Sequence, residues 1–166
     1  IWNGFTMNGR EDDYEWSKPY MKNNQVFVVR GDSDINSEAD LAGKNVEVQT
    51  DSSAEAALND NSELTSTFGS LTPVADYNTA FMDLESGAVD AIAMDDVVAS
   101  YQITSRKADF KVLDDVIAAE EYGIGFKKGN TGLRVKVQAT LEEMAADGTA
   151  AKISEKWFGK DITTIQ

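Results

Sequence analysis

The sequence predicts an α/β protein built on a parallel or mixed sheet. Three observations carry that prediction: short β-branched runs alternate with helical stretches, several helices open on a capping residue, and most end at a glycine. Length agrees with it. A chain of 166 residues with 42% hydrophobic content can bury a core as one large domain or two small ones.

The elements follow in order. Gln25–Arg30 (QVFVVR) reads as a strand ended by Gly31-Asp32. Ser37 caps a short helical turn to Leu41, with Asp40 three residues on and Gly43 closing it. Lys44–Gln49 (KNVEVQ) alternates as a second strand, and Ser52 or Ser53 opens a helix through Leu58. Asp76 caps a helix over Tyr77–Ser86, with Phe81 and Leu84 on one face and Gly87 as its stop. Val89–Met94 (VDAIAM) is a mostly apolar strand, followed by Asp95-Asp96 and a helix from Val97 to about Arg106; Asp96 suits its cap. Lys111–Leu113 and Tyr122–Phe126 read as further short strands. Helices over Leu133–Ala146 and Ala150–Phe158 then stop at Gly148 and Gly159. Pro19 and Pro73 fall in connections, and the alternation of Tyr14 and Trp16 with charge buries one face of their segment.

Composition excludes several kinds of chemistry. Asp and Glu number 29 against 15 Lys and Arg, a net charge of −14, and no basic cluster is longer than Lys127-Lys128. A nucleic-acid backbone would be repelled. With no His and no Cys there is no Ser-His-Asp triad, no Cys nucleophile, no His- or Cys-ligated zinc and no disulfide. No metal or cofactor is expected, and no apolar run approaches the roughly 18 residues of a membrane span. The start at Ile1-Trp2-Asn3, without Met or a signal pattern, reads as the interior of a longer, processed gene product.

Polar side chains gather at two strand tips, where open α/β sheets bind ligands. At Gln49-Thr50-Asp51-Ser52-Ser53 a strand feeds a helix, so free N–H groups and two hydroxyls suit a carboxylate. The plainer reading of Ser52 or Ser53 is an ordinary helix cap, and Asp51 would repel an anion if it turned inward. Asp95 at the second tip can pair with a cation or stand as a solvated loop acid. Together the tips suit a zwitterion. A third group, Gly4-Phe5-Thr6 with Arg10, can hold a carboxylate by hydroxyl and guanidinium; the alternative pairs Arg10 with Glu11, Asp12 or Asp13. Trp16 and Tyr20 either line a cleft or pack in the core.

Seven segments in order carry a resemblance. They are Asn3-Gly4-Phe5-Thr6; Trp16-Ser17-Lys18-Pro19-Tyr20; Ala39–Lys44 with Val46 to Ser53; Leu84–Ala91; Tyr122–Gly129; Asp147-Gly148-Thr149; and Lys156-Trp157-Phe158-Gly159. The chain resembles the polar amino-acid-binding proteins of ABC importers, family 3 of the extracellular solute-binding proteins. That resemblance implies a type II periplasmic-binding-protein fold, two lobes joined by two crossover strands, with the N-terminal part of lobe one absent. Residues 1–22 would be a remnant of lobe one, 23–121 lobe two, and 122–166 the return to lobe one. By position, the ligand's α-carboxylate would meet Thr6, Arg10, Ser52 and Ser53. The α-ammonium would meet Asp95 and the backbone near Gly4, with Gln49 facing the ligand side chain. Asp51, Met94 and Tyr77 would stand near that wall, which favours a polar uncharged or basic side chain. Arg10 follows Thr6 by four residues where the family has five, a difference that a tight turn at Asn8-Gly9 would absorb.

The resemblance implies a non-enzymatic receptor. It captures an L-amino acid between its lobes, outside the cytoplasmic membrane in the periplasm or on a lipid anchor, for the importer's membrane subunits. A sensor ectodomain or a dehydratase-like enzyme would use the same fold, the latter needing a positioned acid such as Glu47, Glu55 or Glu120. Closeness of Gln166 to Trp157-Phe158-Gly159 argues against the sensor. Apolar faces left without lobe-one partners predict self-association or exchange of elements between chains.

Overall fold

A computed structural model describes residues 1–106 and 108–165; Gln166, in the expected return to lobe one, lies outside them. The chain divides into two compact units. One is continuous, Asn24–Ala119, and the other joins Ile1–Asn23 to Glu120–Gln166. Two strands, β3 (Met21–Arg30) and β7 (Phe110–Gly123), pass from one unit into the other.

The continuous unit is a sheet with helices on both faces. Its strands run in the order β7-β3-β6-β4-β5, with β4 at Asn45–Gln49, β5 at Ser70–Val74 and β6 at Ala91–Asp95. β4 lies parallel to both its neighbours, while β6 is antiparallel to β3, so the sheet is mixed. Register places Val46 beside Ala91 and Val48 beside Ala93, and these four share a core with Phe27, Leu41, Ala54 and Leu58. On the opposite face Val28, Ile92 and Met94 pack against Ala80, Phe81 and Leu84 of α3 (Tyr77–Ser86). Burial on both faces explains why β3 is apolar at four successive positions, Val26 to Val29.

Local chemistry fixes the turns. The Asp40 carboxylate accepts the Asn36 and Ser37 N–H groups at 3.0 Å each, and those bonds hold its pKa below the usual carboxylate value. Asp76 caps α3 by accepting the N–H groups of Asn78 and Thr79, and Gly87 ends it at φ 80°. Three further α-helices, α1 (Ser53–Asp60), α2 (Ser62–Thr65) and α4 (Asp96–Arg106), belong to the unit.

Three expectations change. The stretches Lys111–Leu113 and Tyr122–Phe126 do not form two short strands. They belong to the 14-residue β7 and the two-residue β8 (Gly125–Phe126). Asp114-Asp115 breaks the apolar pattern, but within this unit β7 pairs only with β3, and an outer strand tolerates charge. Glu120-Glu121 falls in the other unit, where the buried Glu120 carboxylate accepts the Thr6 hydroxyl and the Asn23 amide. Pro73 is not in a connection. It sits in β5, the last strand of the order, where a missing N–H costs no ladder bond. Asp96 is not the residue before α4 but its first; there it accepts the Ser100 hydroxyl at 3.4 Å and its charge meets the positive end of the helix.

One buried acid stands out in this unit. Glu47, on β4, is 6% exposed beside Asp83 of α3; burial and the neighbouring carboxylate push its pKa up.

The discontinuous unit is smaller. β1 (Phe5–Thr6) pairs antiparallel with Tyr122 and Gly123 of β7, and β2 (Glu15–Trp16) pairs with β8. Ile124, Phe126 and Leu141 form its core with Tyr20 and Val137, under α5 (Thr131–Ala146); α6 (Thr149–Phe158) follows. That core leaves much apolar surface uncovered. Trp2, Leu133, Ile153 and Trp157 are each about half exposed or more, and a shallow apolar groove of about 200 Å³ runs between Trp2 and Leu141.

Candidate functional site

In the continuous unit, two expected site elements stand at the same end of neighbouring parallel strands. β4 ends at Gln49 and leads into α1; β6, its parallel neighbour, ends at Asp95. The half-buried Gln49 donates its Nε2 to the Ala75 carbonyl at 3.3 Å. Asp51 is the one residue other than glycine with positive φ, 59°, among the described residues, and is exposed. Its N–H donates to the Glu55 carboxylate at 2.7 Å, while the Ser52 hydroxyl accepts the Glu55 N–H at 3.1 Å. Ser52 is therefore the helix cap that the plainer reading of the sequence describes. Ser53, half-buried, begins the helix, where backbone N–H groups and the dipole favour an anion.

Asp95 is half-buried, and its Oδ1 accepts the Gln25 side-chain amide at 3.0 Å. Gln25 is wholly buried. Met94 does not reach a ligand wall. It is fully buried against α3, because the strand's alternation turns it away from Asp95's side of the sheet. Tyr77 lies in the same core cluster, 9% exposed.

In the discontinuous unit, β1 carries Thr6, 5% exposed, whose hydroxyl donates to the Glu120 carboxylate at 3.0 Å. Asn23 donates to the same carboxylate oxygen at 3.2 Å. The turn at Asn8-Gly9, with Gly9 at φ 76°, brings Arg10 back over β1. There Nη1 donates to the Thr6 carbonyl at 3.2 Å and the guanidinium lies over the Phe5 ring, 5.2 Å from its centre. Arg10 is thus brought to Thr6 despite the shortened spacing. Gly4 adopts φ 73°, and a side chain there would press on the Tyr122 ring. Trp16 stacks in an aromatic cluster with Phe5 and Tyr14 and donates to the Arg10 carbonyl at 3.0 Å. Tyr20 meets Trp2 edge-on, and burial raises its pKa.

Gln25, Asn23 and Glu120 were not candidates for ligand contact from sequence. The available signal was polarity out of place: Asn23 and Gln25 fall at alternate positions of a strand that is otherwise apolar further on. No group of three or more acidic residues is placed to hold a metal ion among the described residues.

Residues 1–160 match the bacterial extracellular solute-binding proteins, family 3. The chain belongs to that family. Among similar proteins, the L-cystine-binding protein TcyJ of Escherichia coli (strain K12) is 31% identical over 156 residues, covering 93% of this chain and 57% of that protein. The L-cystine-binding protein TcyA of Bacillus subtilis (strain 168) is 32% identical over 157 residues, covering 93% and 56%. The chain therefore spans just over half the length of these relatives. Among solved structures, an ABC uptake transporter substrate-binding protein from Streptococcus pneumoniae with bound histidine superposes with a TM-score of 0.90 at 30% identity, covering 99% of this chain and 69% of that one. An ancestral arginine-binding protein bound to arginine gives 0.79 at 36% identity, covering 94% and 70%. Two units joined by β3 and β7 are the two-lobed arrangement of this solute-binding family, whose members work outside the cytoplasm.

Proposed function

We propose that this chain is the ligand-binding part of a receptor that captures an L-amino acid outside the cytoplasmic membrane and passes it to the membrane subunits of an ABC importer. One observation carries the reading. The N-terminus of α1 and the carboxylate of Asp95 stand at the same end of adjacent parallel strands, an anion site beside a cation site. A free amino acid offers both charges. Thr6, Arg10 and the backbone at Gly4 are the discontinuous unit's own candidates for contact with the ligand. The Thr6 hydroxyl directs its single proton to Glu120, so it would meet a ligand as an acceptor, and in that unit the carboxylate-binding part would fall to Arg10. Gln49 and Asp51 favour a polar uncharged or basic side chain over an acidic one. Relatives named for cystine and arginine agree with that preference. The receptor works in the periplasm or on a lipid anchor at the cell surface.

Glu47, Glu55 and Glu120, the acids an enzyme on this fold would draw on, stand beside Asp83, bond the Asp51 N–H and bond Thr6 respectively. Calorimetry on the chain against the twenty L-amino acids tests the reading. At least one amino acid is expected to bind while its 2-oxo acid does not; binding of oxo acids or sugars alone would overturn it.

The apolar surface of the discontinuous unit supports self-association of the chain, by simple contact or by exchange of elements. Light scattering at rising concentration is expected to show dimers or larger species. A monodisperse monomer would refute this.

A further inference from the structure

Asp95 stands at the end of a strand, where a carboxylate has freedom to swing toward solvent. One bond that restrains it comes from β3. Gln25 is wholly buried, and its amide donates to Asp95 Oδ1 at 3.0 Å. Register fixes the pair, because Gln25 lies directly opposite Asp95 in the antiparallel β3–β6 ladder. An amide suits the place: its N–H binds an ionised carboxylate without bringing a competing charge, whereas a Lys or Arg there would neutralise the acid. Two residues earlier, on the same face of β3, Asn23 is 2% exposed and donates to Glu120, which in turn accepts the Thr6 hydroxyl. Strand β3 thus delivers buried amides at alternate positions, one to Asp95 directly and one to the carboxylate that holds Thr6. Neither amide adds to an apolar core, and burying it is favourable only where a partner is fixed.

We propose that Gln25 is a positioning residue: it locks the Asp95 carboxylate in the orientation that receives the ligand ammonium. This rests on the amino-acid-receptor reading above. The pairing also makes β3 more than a connection, since a strand that passes between units carries the restraint on a binding side chain.

The test is a double-mutant cycle in the full chain, read by calorimetry with L-arginine, L-histidine, L-glutamine and L-cystine as probes. Gln25→Met keeps the length of the side chain and removes the amide; it is expected to weaken whichever probe binds about tenfold or more. In an Asp95→Asn background the same substitution should add little, because the two residues act as one unit. Unchanged affinity in Gln25→Met, or losses that simply add, would overturn the proposal. A second readout needs no ligand. In the unliganded chain Asp95→Ala, which removes the acceptor, should shift the Gln25 side-chain amide resonances and speed their exchange with solvent, whereas Asp96→Ala should leave both unchanged. Failure of all four probes with this response intact would count against the receptor reading while leaving the Gln25–Asp95 restraint standing; Gln25 amide resonances that Asp95→Ala leaves unchanged would refute the restraint.

Discussion

Asp95→Asn is expected to lower amino-acid affinity by roughly 30-fold to several thousand-fold, the effect of removing one partner from a desolvated, hydrogen-bonded charge pair at about 2–5 kcal/mol. Asn is the informative replacement. Its carbonyl still accepts the Gln25 amide, so the strand tip keeps its bond and folding stability should change little. Loss of charge is then separated from loss of shape. Calorimetry with the amino acid found to bind, paired with a thermal melt, reads both quantities. Affinity equal to that of the parent chain would remove Asp95 from the ammonium site, and a large fall in melting temperature would mean that its charge serves the fold.

Glu47→Gln should stabilise the chain at neutral pH. Burial and Asp83 raise the pKa of Glu47 in the folded state above its ordinary 4.5. The fold therefore favours the protonated form. That contribution is fully present below pH 4.5 and is lost as pH rises through the folded-state value, so at pH 7 the ionised carboxylate is held at a cost. Gln is the same size, carries no charge and can donate to Asp83. A gain of about 1–3 kcal/mol is expected at pH 7 to 8, or roughly 2–4 °C per kcal/mol for a chain of this size. Near pH 4 the difference should vanish. Superimposable melting curves at both pH values would show that Glu47 finds no penalty in its site.

Much of the continuous unit was legible because its turns are written locally. Asp76 and Gly87 bracket α3 by side-chain capping and a left-handed residue, and both act within a few positions of the sequence. The strand-to-helix passage at Gln49–Ser53 was legible for the same reason. Long-range pairing was not. β7 reads as fragments because its acidic pairs look like turns; Asp114-Asp115 is tolerated at the outside of its unit's sheet, and Glu120 by bonds to Thr6 and Asn23, far away in sequence. Pro73 looked like a loop marker until β5 proved to be an edge. Among the candidate site residues, Asp95 and Arg10 could be named from their neighbours. Gln25 could not, since its meaning depends on the residue 70 positions away that faces it across β3 and β6.

The two units differ in how the ribosome would deliver them. Asn24–Ala119 emerges as one uninterrupted stretch and can collapse as soon as its last strand is made. The other unit cannot: β1 waits for Tyr122 and Gly123, and β2 waits for Gly125 and Phe126. Bringing those ends together across an unstructured loop of about a hundred residues would carry a closure entropy that early collapse of the intervening unit largely removes. Synthesis order thus makes β1 and β2 wait for the whole of Asn24–Ala119 before their partner residues exist.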